Sequence, residues 1–145
     1  MADNLTPAQR SYCMSQVKGR DTGLERTVMD ALRRRQLRFR TYVADLPGRP
    51  DVVFRSDRIA VFIDGDFWHG YRFPAWRRTV SAFWREKIAK NRARDRRNFA
   101  KLRRAGWTVI RVWQHDVRKR LDECIVRIVA AVEARRAERS IVSRS

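Results

Sequence analysis

Ile59-Ala-Val-Phe-Ile63 is an unbroken apolar run, and Asp64-Gly-Asp-Phe-Trp-His69 follows it at once. A run this short and this rich in β-branched residues reads as a strand buried on both faces. Beyond it, Ser81 to Ala105 carries a helical period, with Trp84, Ile88, Asn91, Asp95, Phe99 and Leu102 at steps of three or four. Gly106 supplies a helix stop, and Trp107-Thr-Val-Ile-Arg-Val-Trp113 reads as another strand. Strand, helix and strand form a crossover, so the two strands should run parallel with a right-handed connection. The fold class that follows is α/β.

Working outward adds the remaining elements. Arg55-Ser-Asp-Arg58 separates Ile59–Ile63 from Asp51-Val-Val-Phe54 and predicts a hairpin. Leu46-Pro-Gly-Arg-Pro50 is a turn-rich loop, and Phe39 to Val43 reads as a third strand on the N-terminal side. Thr22-Gly-Leu-Glu25 opens a helix whose apolar stripe runs through Leu24, Val28 and Leu32 towards Leu37. Thr6-Pro-Ala-Gln9 has the form of a capped helix start, giving a segment over about 6–18. The C-terminal helix spans Asp116 to about Ala137, with Val117, Leu121, Cys124, Ile125, Ile128 and Val132 on one face. The expected architecture is one domain over 1–138, a mixed β-sheet flanked by helices, with 139–145 as a disordered tail.

Composition narrows the partner. The chain of 145 residues has 34 Lys and Arg against 16 Asp and Glu, a net charge of +18. So positive a surface repels itself, and a polyanion relieves that repulsion. Nucleic acid leads, since phosphate neutralisation and counterion release drive such binding. The charge run from Arg85 to Arg104 on the long helix, nearly unopposed by acid, favours phosphate contact over a merely solvated face. No lipidation pattern, signal-peptide core or apolar span points to a membrane. Cys13 and Cys124 form no CxxC pair, which predicts free thiols and a cytoplasmic, reducing location.

Acids and one histidine gather where strands end. Asp51 begins a strand after the Pro-Gly-Arg-Pro loop, while Asp64, Asp66 and His69 follow a buried one. Magnesium takes carboxylate and carbonyl oxygens and keeps several waters, so one or two acids suffice to hold it. Histidine titrates near neutrality and can act as general base. Loop acids that merely cap backbone would give the same pattern, and spacing alone leaves both readings open. Asp95 is a polar intruder on an apolar helical face: it either orients a histidine or pairs with Arg92 or Arg96 towards solvent. Phe67 and Trp68, with Trp84, are large aromatics beside a basic surface, suited either to core packing or to wedging between base steps.

Leu46-Pro-Gly-Arg-Pro-Asp51, Val61-Phe-Ile-Asp-Gly-Asp-Phe-Trp-His69 and Phe83-Trp84-x-x-Lys87-Ile88-x-x-Asn91-x-x-x-Asp95 together resemble the Vsr-type very-short-patch repair endonucleases. Arg20-Asp-Thr22 followed by Glu25 is similar to their N-terminal signature. The resemblance spans roughly residues 8 to 135. It implies a restriction-endonuclease-like core and Mg²⁺-dependent nicking of one strand, 5′ to the mispaired T of a T:G mismatch. By position it implies that Asp51 and the Ile63 carbonyl bind the metal and that His69 is the general base, oriented by Asp95. Glu25 would support the metal's water shell, with Asp64 close behind the reacting groups. Phe67, Trp68 and Trp84 would wedge the duplex from one groove and Met14 from the other. Arg20, Lys87, Lys90 and Asn91 are assigned DNA contacts. The implied partner is mismatched double-stranded DNA, bound by a monomer, with mismatch-repair proteins processing the nick.

The chain departs from that family at two places. Family members often carry a structural zinc built from Cys and His, but Asp66 and His115 stand at two of its positions here and no four ligands assemble. We therefore expect no structural zinc, with Asp66, Arg72 and His115 forming a hydrogen-bonded salt bridge instead. The acid-x-lysine pattern of related nucleases is also absent after Asp51. Two alternatives stand beside this reading: a nuclease of the same fold with a restriction or junction target, and a non-catalytic DNA-binding or ribosome-associated protein.

Overall fold

A computed structural model of the chain describes residues 23–66, 69–77 and 80–144. The expected helix over 6–18, with Met14 and Arg20, lies outside the described residues, as do Phe67 and Trp68.

Helix α1 (Gly23–Arg34) buries Val28, Met29, Ala31 and Leu32 along one stripe. It stops short of Leu37 because Gln36 turns into the left-handed region (φ 62), which lets Leu37 N–H close back on the Leu32 carbonyl at 3.3 Å. Strands β1 (Arg40–Thr41), β2 (Val52–Phe54) and β3 (Ile59–Asp64) then form an antiparallel meander. The first is shorter than expected: Tyr42 has φ 49, which ends the extended backbone before Val43. A short helix α2 (Phe73–Trp76) falls in the segment expected to be loop, with Pro in its first turn.

Helix α3 (Ala82–Arg104) begins on Ser81, whose Oγ accepts from Trp84 N–H, and ends before Gly106 (φ 89) as the sequence predicts. It crosses to β4 (Thr108–Trp113), which lies parallel to β3 in the order β1-β2-β3-β4. Helix α4 (Gln114–Lys119) and helix α5 (Leu121–Arg144) replace the single helix expected from Asp116. The break falls at Arg120, whose backbone (φ −141, ψ 47) leaves the helical region. The expected disordered tail is likewise corrected, since α5 continues to Arg144. Arg136 and Arg139 of α5 reach the buried Asp57 at 3.4 and 2.8 Å, tying the helix to the β2–β3 turn.

The period of two along the strands sorts side chains to the two faces of the sheet. Val52, Phe54, Ile59, Val61, Ile63, Ile110 and Val112 pack against α1 and α5 as the main core. Ala60 and Phe62 face α3, against Phe99 and Leu102. The same alternation carries Asp51, Asp64 and Arg111 to the α3 side, at the end of the sheet where β3 gives way to the His69 loop. The arrangement is the restriction-endonuclease-like α/β core expected: a mixed sheet between helical layers.

Candidate active site

Strand β3 runs three residues past the start of β2, so Ile63 N–H has no ladder partner there. The Asp51 carboxylate takes it, Oδ2 accepting at 2.8 Å. Asp51 is itself fixed from both sides, its N–H donating to Val61 and its carbonyl accepting from Tyr42. The preceding turn owes its shape to Gly48 (φ 78), where a Cβ would press on Phe62 and Asn98 at 3.0 and 3.2 Å. Side chain and backbone of Asp51 thus sit beside the Ile63 main chain.

Asp51, Ile63, Glu25, Asp64, His69 and Asp95 all line one cavity of about 490 Å³. The sequence reading nominated each of them, and the fold brings them together from α1, β2, β3, the following loop and α3. Glu25, 5% exposed, accepts from Tyr42 Oη at 2.8 Å. That contact uses the turned backbone of Tyr42 that cuts β1 short.

His69 is clasped between two acids. Its Nδ1 lies 2.9 Å from Asp95 Oδ2 and its Nε2 3.4 Å from Asp64 Oδ1. Asp95, on the buried face of α3, therefore turns to the histidine rather than to Arg92 or Arg96. Gly70 (φ 71) makes this possible: a Cβ there would collide with Arg92 Cδ at 2.7 Å and Ile88 Cγ2 at 2.8 Å. The loop can press against α3 only with glycine next to His69. Burial works to lower the His69 pKa, but the Asp64 charge and the Asp95 hydrogen bond and charge prevail and raise it above its ordinary 6.5.

The residue that sequence reasoning missed is Arg111. Its Nε donates to Asp64 Oδ2 at 2.6 Å and its Nη2 to Asp95 Oδ2 at 2.9 Å. The guanidinium lies over the Trp113 ring at 4.1 Å and the Phe99 ring at 5.1 Å. Asp64, His69, Asp95 and Arg111 consequently close a ring of alternating charge. An arginine in the middle of Thr108-Val-Ile-Arg-Val-Trp113 was the available clue, since a charged side chain inside an apolar strand needs partners. Arg49, Arg94 and Asn98 also line the cavity and place cationic and amide groups around the acids.

The remaining nominated residues lie elsewhere. Trp84 is half-buried against the small cluster of Phe73, Val80 and Ile88, edge-on to the exposed Phe83 ring. Lys87 and Lys90 are exposed on α3, the first above the Phe83 ring and the second paired with Glu86 at 3.2 Å. Asn91 is buried on the inner face of the same helix.

Where no zinc site was expected to assemble, His115 Nδ1 meets Asp66 Oδ1 at 2.9 Å, and Asp66 N–H donates to Gln114 Oε1 at 3.2 Å. Tyr71 packs on the His115 ring at 4.3 Å and on Trp113 at 5.0 Å. Arg72 stands over Tyr71 instead of bonding Asp66, which corrects the three-residue bridge expected from sequence to a pair buttressed by an aromatic ring. Among the described residues no three His, Cys, Asp or Glu side chains converge on a metal position. Two carboxylates and a carbonyl with waters still suit magnesium, a hard cation that keeps much of its hydration.

Comparison with known proteins agrees with this geometry. The Vsr family model, described as DNA mismatch endonuclease Vsr, matches residues 2–74. The type II nicking enzyme V.XorIIP of Xanthomonas oryzae pv. oryzae is 42% identical over 119 residues, covering 81% of this chain and 88% of that protein. The DNA mismatch endonuclease Vsr of Escherichia coli (strain K12) is 41% identical over 125 residues, 83% of this chain and 78% of its own. The type II nicking enzyme V.NmeDIP of Neisseria meningitidis serogroup C is 35% identical over 133 residues, 90% of each chain.

Proposed function

The chain belongs to the Vsr family of DNA mismatch endonucleases and is a DNA endonuclease; from that premise we propose that it nicks one strand of a duplex 5′ to the mispaired T of a T:G mismatch, with Mg²⁺ as cofactor. The observation that carries this reading is the single cavity in which Asp51 and the Ile63 backbone stand across from a histidine gripped by Asp95. Relatives named as nicking enzymes fit a cut in one strand rather than two.

Asp51, the Ile63 carbonyl and, through water, Glu25 would hold the ion. Bound there, magnesium would supply charge neutralisation for the scissile phosphate and its leaving oxygen. His69 accepts the proton of the attacking water, and Asp95 fixes the ring tautomer and balances the imidazolium that results. Asp64 offers a second anionic contact to the same ring. Arg49 and Arg94 approach from the cavity wall, where they draw in and seat a phosphate.

Trp84, with Phe67, Trp68 and Met14, is the proposed wedge that parts the bases around the mismatch. Unstacking costs a few kcal/mol, least where pairing is already faulty, and so favours a mispair. Lys87 and Lys90 contact phosphate, Arg20 positions the strand, and the monomer acts in the bacterial cytoplasm ahead of repair proteins. No helix among the described residues is long and apolar enough to cross a membrane. The chain carries no structural zinc in this reading, the Asp66–His115 pair taking that place.

A panel of strand-labelled duplexes tests the target. A T:G mismatch with varied flanks should be nicked in Mg²⁺ at several ionic strengths, with paired T:A and C:G duplexes left intact. Equal cutting of paired DNA would favour a restriction-type target, and cutting confined to branched DNA a junction target.

A further inference from the structure

Arg111 occupies a place where an apolar residue would be cheaper. It faces α3 from the middle of β4, opposite Phe62 in the register and between Ile110 and Val112 along the strand. A buried ion network is seldom a gain in stability over well-packed aliphatic side chains. The site nevertheless keeps a guanidinium there, stacked between Phe99 and Trp113 and spent on two carboxylates at once.

We propose that Arg111 is a positioning residue for strand cleavage: it bridges Asp64 to Asp95 and so holds the two acids that face the two nitrogens of His69. The proposal rests on the reading of His69 as general base. Its physical logic is that two carboxylates beside one imidazole repel each other, and a cation hydrogen-bonded to both offsets that repulsion and fixes their spacing. Arg111 holds both in place. It does so through two donors on different edges of one rigid plane, Nε to Asp64 and Nη2 to Asp95. A lysine presents a single ammonium on a flexible stem and cannot span the pair in the same way. Arg111 acts through these acids.

The test compares Arg111→Leu and Arg111→Lys with the wild type in three measurements: single-turnover nicking of a T:G duplex, affinity for that duplex in EDTA, and NMR titration of the His69 imidazole in metal-free protein. Misplacing a reacting group by about 1 Å costs on the order of 10²-fold in rate. Both variants should lose cleavage on that order while binding DNA within about threefold of wild type. His69 should titrate at higher pH in Arg111→Leu than in wild type, because the opposing positive charge is gone. Should the leucine variant not fold, the lysine variant decides through the same three readouts. Cleavage within about threefold of wild type in either variant would overturn the proposal. So would a loss that tracks DNA affinity while the His69 titration stays put. A wild type that nicks no duplex would refute the reading of the site instead, and the imidazole titration would still decide whether Arg111 governs His69.

Discussion

Arg111 Nε sits 2.6 Å from Asp64 Oδ2, a contact between neighbouring parallel strands whose alternation puts both side chains on the α3 face. The pair has a consequence for titration, because Asp64 also stands 3.4 Å from His69 Nε2. Burial depresses the His69 pKa, but Asp64 and Asp95 outweigh it and leave the group above 6.5. Nicking that depends on neutral His69 should therefore rise with pH along a limb centred above 6.5. Asp64→Asn removes the largest raising influence and should move that limb to lower pH, as a pH–rate profile under single-turnover conditions would record. A limb that stays in place would separate the activity from His69.

The same shift bears on stability with a definite sign. A folded-state pKa raised above the unfolded value stabilises most when the histidine is protonated in both states. The contribution is complete below about pH 6.5 and disappears as pH climbs through the raised value. The difference in melting temperature between wild type and His69→Gln should accordingly be largest in mild acid and shrink above neutrality.

Asp95→Asn keeps the shape of the α3 contact but leaves His69 Nδ1 with the wrong partner. Nicking should fall by about 10²- to 10⁴-fold, the range seen when an orienting acid is lost from an acid–base pair. Affinity for the duplex should change little, since Asp95 is buried and already engaged by His69 and Arg111.

Gly70→Ala should destabilise by about 1–3 kcal/mol, the cost of a strained backbone position. A Cβ at that position meets Arg92 and Ile88 below 3.0 Å, and φ 71 already disfavours a side chain. Because His69 is its neighbour, activity should fall further than stability alone accounts for. Chemical denaturation beside a nicking assay measures both.

Asp66→Ala removes the carboxylate that meets His115 Nδ1 and weakens the tie between the loop bearing His69 and the start of α4. A loss of about 1–2 kcal/mol is expected for a hydrogen-bonded ionic contact at a half-buried site. Treating the wild type with a zinc chelator should leave its melting temperature unchanged, and elemental analysis should find no stoichiometric zinc.

The sequence made the crossover legible because β3 and β4 are apolar runs joined by one helical period, and Gly106 marked where that helix stops. Asp51, Asp64, His69 and Asp95 were legible as polar residues at strand ends or on an apolar stripe, and the family resemblance alone assigned each a role. Arg111 was not, since nothing in one strand's sequence says which acids will stand opposite; the β3–β4 register and α3 together create that meeting. The break at Arg120 escaped for a related reason: Val117, Ile125 and Ile128 share a helical period and one core on either side of it, so only the backbone turn at Arg120 marks it. Arg72, expected to bond Asp66, spends its cation on the Tyr71 ring instead, a choice that local sequence does not encode.

The central claim concerns Asp51, which joins β2 to the Ile63 backbone at the mouth of the cavity. The most direct measurement is strand-specific nicking of a T:G duplex by wild type and Asp51→Asn, each in Mg²⁺ and in EDTA, with duplex binding measured in parallel. The wild type should cut 5′ to the mispaired T only with Mg²⁺, and Asp51→Asn should bind the duplex and leave it whole. Cleavage that persists in Asp51→Asn, or in EDTA, would contradict the account.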